Sequence, residues 1–267
     1  MEIHSATRSI SGLPFSERKV SRIDTYRQTL RELKEKDWIP FLRKESGLPG
    51  PRGNLELAYA VAQEGSRARF EELLSFQAEE NTPDVFLVFC GVVGLGKLAV
   101  NEPKRFTQLR IYASDPRWRI REAVATGLQL AGDQNMDLLL KEMRKWSKGN
   151  WYEKRAVAAT LAEPRLLKES KYVIRVLEVL DEITASMEET NATKDESFKV
   201  LRQGMGYCWS VVVSALPEAG KPMMEKWLGS QDKDIRWMMQ ENLKKSRLIK
   251  MDAKWVQAWT QKLKQTV

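Results

Sequence analysis

Histidine is almost missing from this sequence: His4 is the only one. That leaves no His general base and no His-based metal site. Cysteine is nearly as scarce, with Cys90 and Cys208 alone. Two dispersed cysteines frame neither a zinc site nor a disulfide scaffold. Both lie in apolar stretches and read as buried free thiols, which fits a reducing compartment. The Asn191-Ala192-Thr193 sequon has no use there. Long apolar runs are missing too. The longest, Val85 to Gly96, has 12 residues, too few to span a bilayer, and its glycines suit a tightly packed buried helix. Met1 to Ser11 has no apolar h-region, so no secretory signal is read there. A cytoplasmic protein with no membrane association is expected. Gly94-Leu95-Gly96-Lys97 lacks the spacing of a phosphate loop. No cofactor and no metal are expected, and any chemistry would rest on Asp, Glu, Arg, Tyr and Trp.

Strand signals are also lacking, since no alternating β-branched run is bounded by a hairpin turn. Helix signals fill the chain instead. Hydrophobic residues make up 42% and charged residues 30%, the mix of a folded chain. Helix starts are marked at Asn54, Thr82-Pro83-Asp84, Asn101-Glu102-Pro103, Asp115-Pro116 and Asp252, where a cap side chain can accept an orphan N–H and proline has none to waste. Stops are marked at Gly65, Gly132, Gly149, Pro217 and Gly229. Between them apolar residues recur at three- and four-residue spacing, as in Met136, Leu139, Leu140, Met143 and Trp146. About 13 helices with short connections follow from this pattern. Lys44 to Gly53 and Glu188 to Glu196 read as loops. Tyr26, Leu30, Leu33 and Trp38 suggest a capping helix pair. Residues 1–15 read as a flexible tail, and residues 16–267 as a single domain.

One segment repeats. Asp115-Pro116-Arg117-Trp118-Arg119-Ile120-Arg121-Glu122-Ala123-Val124 has a counterpart in Gly149-Asn150-Trp151-Tyr152-Glu153-Lys154-Arg155-Ala156-Val157. A third copy is Asp232-Lys233-Asp234-Ile235-Arg236-Trp237-Met238, and Gly206 to Leu216 is a degenerate one. Arg121 and Arg155 stand 34 residues apart, the period of a helical hairpin array. These residues resemble HEAT repeats. The turn Asp, aliphatic residue and Arg of that family match Asp115, Ile120 and Arg121, then Asp232, Ile235 and Arg236, and match in part around Arg155. The resemblance covers roughly residues 54–264 and implies an all-α superhelix, a HEAT-like repeat solenoid of the armadillo type. A lone hairpin cannot bury its apolar face, so stacking supplies the core.

Lys145-Trp146-Ser147-Lys148-Gly149-Asn150-Trp151-Tyr152-Glu153-Lys154-Arg155-Ala156 also resembles a segment of the bacterial HEAT-like alkylpurine DNA glycosylases. In that family the matching arginine lies on the concave DNA-binding surface. The resemblance implies DNA contacts for Lys148, Trp151 and Arg155. The Trp-Trp-Asp catalytic motif of that family has no counterpart, because no two tryptophans are adjacent here.

Charge points the same way. The net charge is +8, which permits a polyanionic partner. Residues 101–160 carry 12 Lys/Arg against 7 Asp/Glu, residues 241–267 carry 7 against 2, and residues 178–196 carry 1 against 7. There are nine tryptophans, several beside cations. Cations bind phosphates and aromatic rings stack on exposed bases, although most tryptophans at helical spacing fill cores. Trp118, Trp151 and Trp237, with Arg117, Arg121, Lys148, Arg155 and Arg236, are the candidate nucleic-acid contacts. The repeated arginines have a second reading, a ladder pairing with an acid or carbonyl of the next repeat. Asp115 beside Trp118 is the carboxylate nearest to a catalytic role. Three functions stay open: a binder of duplex DNA backbone, a protein–protein scaffold without catalysis, and a glycosylase-like DNA-repair enzyme.

Overall fold

The computed structural model describes residues 21–188, 190 and 194–265. His4, the expected tail over 1–15 and the sequon at Asn191 lie outside them. Among the described residues the chain is all-α, with 15 α-helices and no strand. In chain order they are α1 Arg22–Glu32, α2 Trp38–Glu45, α3 Leu55–Glu64, α4 Arg67–Leu74 and α5 Pro83–Leu98. There follow α6 Lys104–Tyr112, α7 Trp118–Gln134, α8 Met136–Trp146, α9 Trp151–Leu161 and α10 Ser170–Glu188. The last are α11 Glu196–Ala215, α12 Pro217–Leu228, α13 Lys233–Leu243, α14 Ser246–Met251 and α15 Ala253–Gln265. There are more helices than the apolar period suggests, because pieces as brief as the six-residue α14 hold under two turns and display no period.

Most of the caps are where the sequence puts them. Asn54 accepts from the Leu57 N–H, Thr82 from Val85 with Pro83 in the first turn, and Asp252 from Trp255. Two starts differ. At α6 the residue before the helix is Pro103, and Glu102 pairs instead with Arg105 and Arg67. At α7 Asp115 accepts the Arg117 N–H and so shapes the turn ahead of the helix. Gly132 is no stop: it lies inside α7, where a methyl group would press on Leu139 and Leu166.

The odd-numbered helices form a row. α1 packs on α3, α3 on α5, α5 on α7, α7 on α9, α9 on α11 and α11 on α13. The even-numbered helices lie beside them, with α8, α10 and α12 touching in turn. The apolar run singled out above is α5, buried without a break from Val85 to Gly96 and packed against α2, α3, α4, α6 and α7. Ion pairs join successive hairpins at about one repeat length. Arg105 meets Glu71 at 3.0 Å, Arg165 meets Asp133 at 3.0 Å, and Arg144 pairs with Glu178. At the N-terminal end Leu30 and Trp38 are buried, the Trp38 indole N–H donates to the Leu30 carbonyl at 3.1 Å, and α1 packs on α3 while α2 packs on α5. No described helix is long and apolar enough to cross a membrane.

Candidate functional site

Contacts along the row can be traced residue by residue. Trp118 and Glu122 stand four residues apart on α7 and so share a side of it. Glu122 is ion-paired with Arg155 on α9. The Arg155 side chain lies against Gly204 on α11, and Gly206 of α11 lies against Trp237 and Glu241 on α13. Two depressions open along the row.

The first is a cavity of about 280 Å³ between the Leu48–Gly53 loop, α3, α5 and α7. Leu48, Leu55, Val85, Phe86, Phe89 and Trp118 give it apolar walls, and Arg52, Arg119 and Glu122 carry its charge. Phe86 and Phe89 stack in near-parallel planes, 6.2 Å between centroids. Trp118 is 46% exposed although large and apolar, with the Arg119 guanidinium 4.4 Å from its ring. Arg119 is itself buried. It donates to the Gly50 carbonyl at 2.7 Å and to Asn81 Oδ1 at 2.9 Å, and its Nε lies 3.1 Å from Glu80. Those contacts fasten the loop that walls the cavity. Asn81 adopts a left-handed φ of 64°, tolerable for asparagine, and also accepts the Gly50 N–H.

The second is an open groove of about 950 Å³ on α11 and α13, lined by Lys199, Arg202, Lys233 and Lys245 against Asp234 and Glu241, with Tyr207 and Trp237 between them. Arg202 stacks on Trp237 at 4.1 Å and pairs with Asp234. Arg247 and Lys245 sit over the exposed Tyr207 ring at 4.8 and 6.0 Å. Four cations against two carboxylates leave the groove positive.

The residues expected to contact nucleic acid are divided by the structure. Trp118 opens onto the cavity and Trp237 onto the groove. Lys148 is exposed in the α8–α9 turn. Arg155 and Arg236 reach the neighbouring hairpin as a ladder would, whereas Arg121 is held within its own turn. Arg117 is bidentate with Asp115, at 2.8 and 2.9 Å, and donates to the Ala78 carbonyl. Arg121 is buried, donating to the Asp115 and Pro116 carbonyls at 2.7 and 2.8 Å. Arg155 holds Glu122 and the Arg121 carbonyl, and Arg236 donates to the Leu263 carbonyl at 3.3 Å. Trp151 packs edge-on against Phe198 at 5.4 Å, with Lys154 4.2 Å from its ring. Asp115 is engaged by Arg117 and is not the carboxylate of the cavity; Glu122 is. Its spacing from Trp118 was the available signal, masked because Glu122 falls in the shared repeat pattern. Of the groove cations Lys233 falls in the third repeat copy, whereas Lys199, Arg202 and Lys245 carry no motif, and only folding brings the four together.

Cys208 neighbours Arg155 and Glu122, but burial pushes its thiol up to about 12, so it is no thiolate nucleophile at neutral pH. Among the described residues no group of three or more His, Cys, Asp or Glu side chains could hold a metal ion. No family model matches the chain, and no curated protein matches it.

Proposed function

We propose that this chain is a HEAT-like repeat protein of a reducing, cytoplasmic compartment that binds nucleic acid along the face formed by α7, α9, α11 and α13. The observation that carries this reading is the groove on α11 and α13. It sets four cations beside two aromatic rings, the composition that engages phosphates and bases. The repeated arginines contribute by aligning the helices, not by touching phosphate.

Fluorescence anisotropy of a labelled duplex over a range of salt concentrations tests the reading. Affinity should fall linearly on a log–log salt plot. Lys199→Ala with Lys233→Ala should reduce the slope by about 2, whereas removing Lys148 alone should reduce it by at most about 1. No binding at low salt and micromolar protein would overturn the proposal.

A second reading, a glycosylase-like enzyme, is favoured by one observation: the Glu122 carboxylate faces an aromatic-walled cavity. An ionised carboxylate there would stabilise positive charge developing on a deoxyribose as its base departs. Incubation with alkylated duplex should then release free base from the wild type and not from Glu122→Gln. Equal or absent release in both would remove this reading.

A further inference from the structure

We infer that the cavity between the Leu48–Gly53 loop, α3, α5 and α7 captures a single unpaired nucleobase from a bound nucleic acid. The inference rests on the nucleic-acid reading above and adds a ligand to a part of the row that phosphate binding alone leaves unused.

Size narrows the occupant first. About 280 Å³ falls just below the range that holds a drug-sized ligand. It accommodates one flat ring system and not a peptide segment or a folded partner. Shape narrows it next. Phe86 and Phe89 line the cavity as buried apolar rings stacked on one another, and Trp118 stands half-exposed in its lining. An exposed indole is a surface on which a base stacks without regard to its identity. Polar groups complete the match. Glu122 is a hydrogen-bond acceptor on one side, suited to the amino or imino N–H of a base. It is held in place by Arg155 from the next helix. Arg52 is an exposed lining residue and has no partner among the described residues, so it is available to the phosphate beside an everted base. The wall that carries Arg52 is fastened by buried Arg119 through the Gly50 carbonyl and Asn81, which keeps the pocket formed before any ligand arrives. A preformed pocket lowers the ordering cost of capture. A base must leave its stack to enter, so unpaired bases are favoured over paired ones.

The test compares three labelled duplexes in anisotropy titrations with the full chain: fully paired, carrying a single-nucleotide bulge, and carrying the same bulge with an abasic residue. The bulged duplex should bind about tenfold or more tighter than either of the others, the worth of one stacked base. Leu55→Glu places a charge at a half-exposed position of the wall and should abolish that preference. Trp118→Ala should reduce it, and thermal melts should show both variants folded. If Leu55→Glu fails to fold, Trp118→Ala and the abasic comparison still decide. Equal affinity for bulged and abasic-bulged duplexes, with paired binding intact, would overturn base capture and leave the nucleic-acid reading standing. Absence of binding to all three would overturn both. Free nucleosides titrated against tryptophan fluorescence distinguish the source: saturation by nucleoside with no bulge preference would make the pocket a small-molecule site and overturn the polymer-bound base.

Discussion

Lys154 illustrates what a single residue costs and contributes. It is buried on α9, donates to Ser186 Oγ at 2.8 Å and faces the Trp151 ring, with no carboxylate among its partners in the described residues. Burial lowers its pKa from the ordinary lysine value, because low-dielectric surroundings disfavour the charged form. The sign follows from linkage. Below the depressed folded value, lysine is protonated in both folded and unfolded chains and the burial penalty is fully present. As pH rises from there towards about 10.4 the unfolded chain holds the proton longer, so stability rises. Lys154→Met should therefore stabilise the protein at pH 7 by about 1 kcal/mol, and the difference should shrink as denaturant melts are repeated towards pH 10. A variant less stable at pH 7 would mean that the Ser186 bond and the Trp151 face outweigh desolvation. Nothing in the local sequence separates Lys154 from Arg155, yet one is buried towards α10 and the other bridges to α7. A difference of one residue turns a side chain about 100° around a helix, and which direction is interior depends on neighbours that the sequence does not locate.

Elements meet most closely where side chains are absent. A methyl group on Gly96 of α5 would overlap the backbone of Gly127 on α7, and one on Gly127 would lie 3.1 Å from the Val92 carbonyl. Gly96→Ala should gain about 1 kcal/mol of helix propensity. It should lose about 2–3 kcal/mol or more to overpacking, since the obstacle is backbone and cannot rotate aside. The net change should lower the melting temperature by several degrees, read by thermal denaturation; an unchanged or raised value would show that the two helices can separate freely. α5 was legible from its Thr82-Pro83-Asp84 start and apolar run, α8 from its three- and four-residue apolar spacing, and α9 from its place in the repeat. The glycines of α5 signalled tight packing, but Gly132 was misread as a stop. Glycine marks both helix ends and close helix contacts, and only the partner helix distinguishes them.

At the scale of the molecule, charge is sorted into two kinds. Arg105, Arg144, Arg155, Arg165 and Arg202 are spent between successive hairpins, where they hold register. Lys233 and Lys245 remain at the groove, and Lys199 lies there 3.5 Å from Glu196 of its own helix. Of the first kind the repeat pattern reveals Arg155, whereas Arg105, Arg144, Arg165 and Arg202 stand outside the copies that the sequence displays. The pattern is silent on the second, since a groove is assembled from residues with no common position. That is why the all-α stack could be read from Arg121, Arg155 and Arg236, while the cavity carboxylate Glu122 and the groove lysines could not.

The cavity and the groove stand at two places on the row, and α9 is the link wedged between α7 and α11. Its fastening to α7 includes the Glu122–Arg155 pair, so the ion pair beside the cavity is also a joint of the frame. A polymer seated at both places would act as a strut across that joint, and slack or tension in the strut would reach the carboxylate mechanically through Arg155.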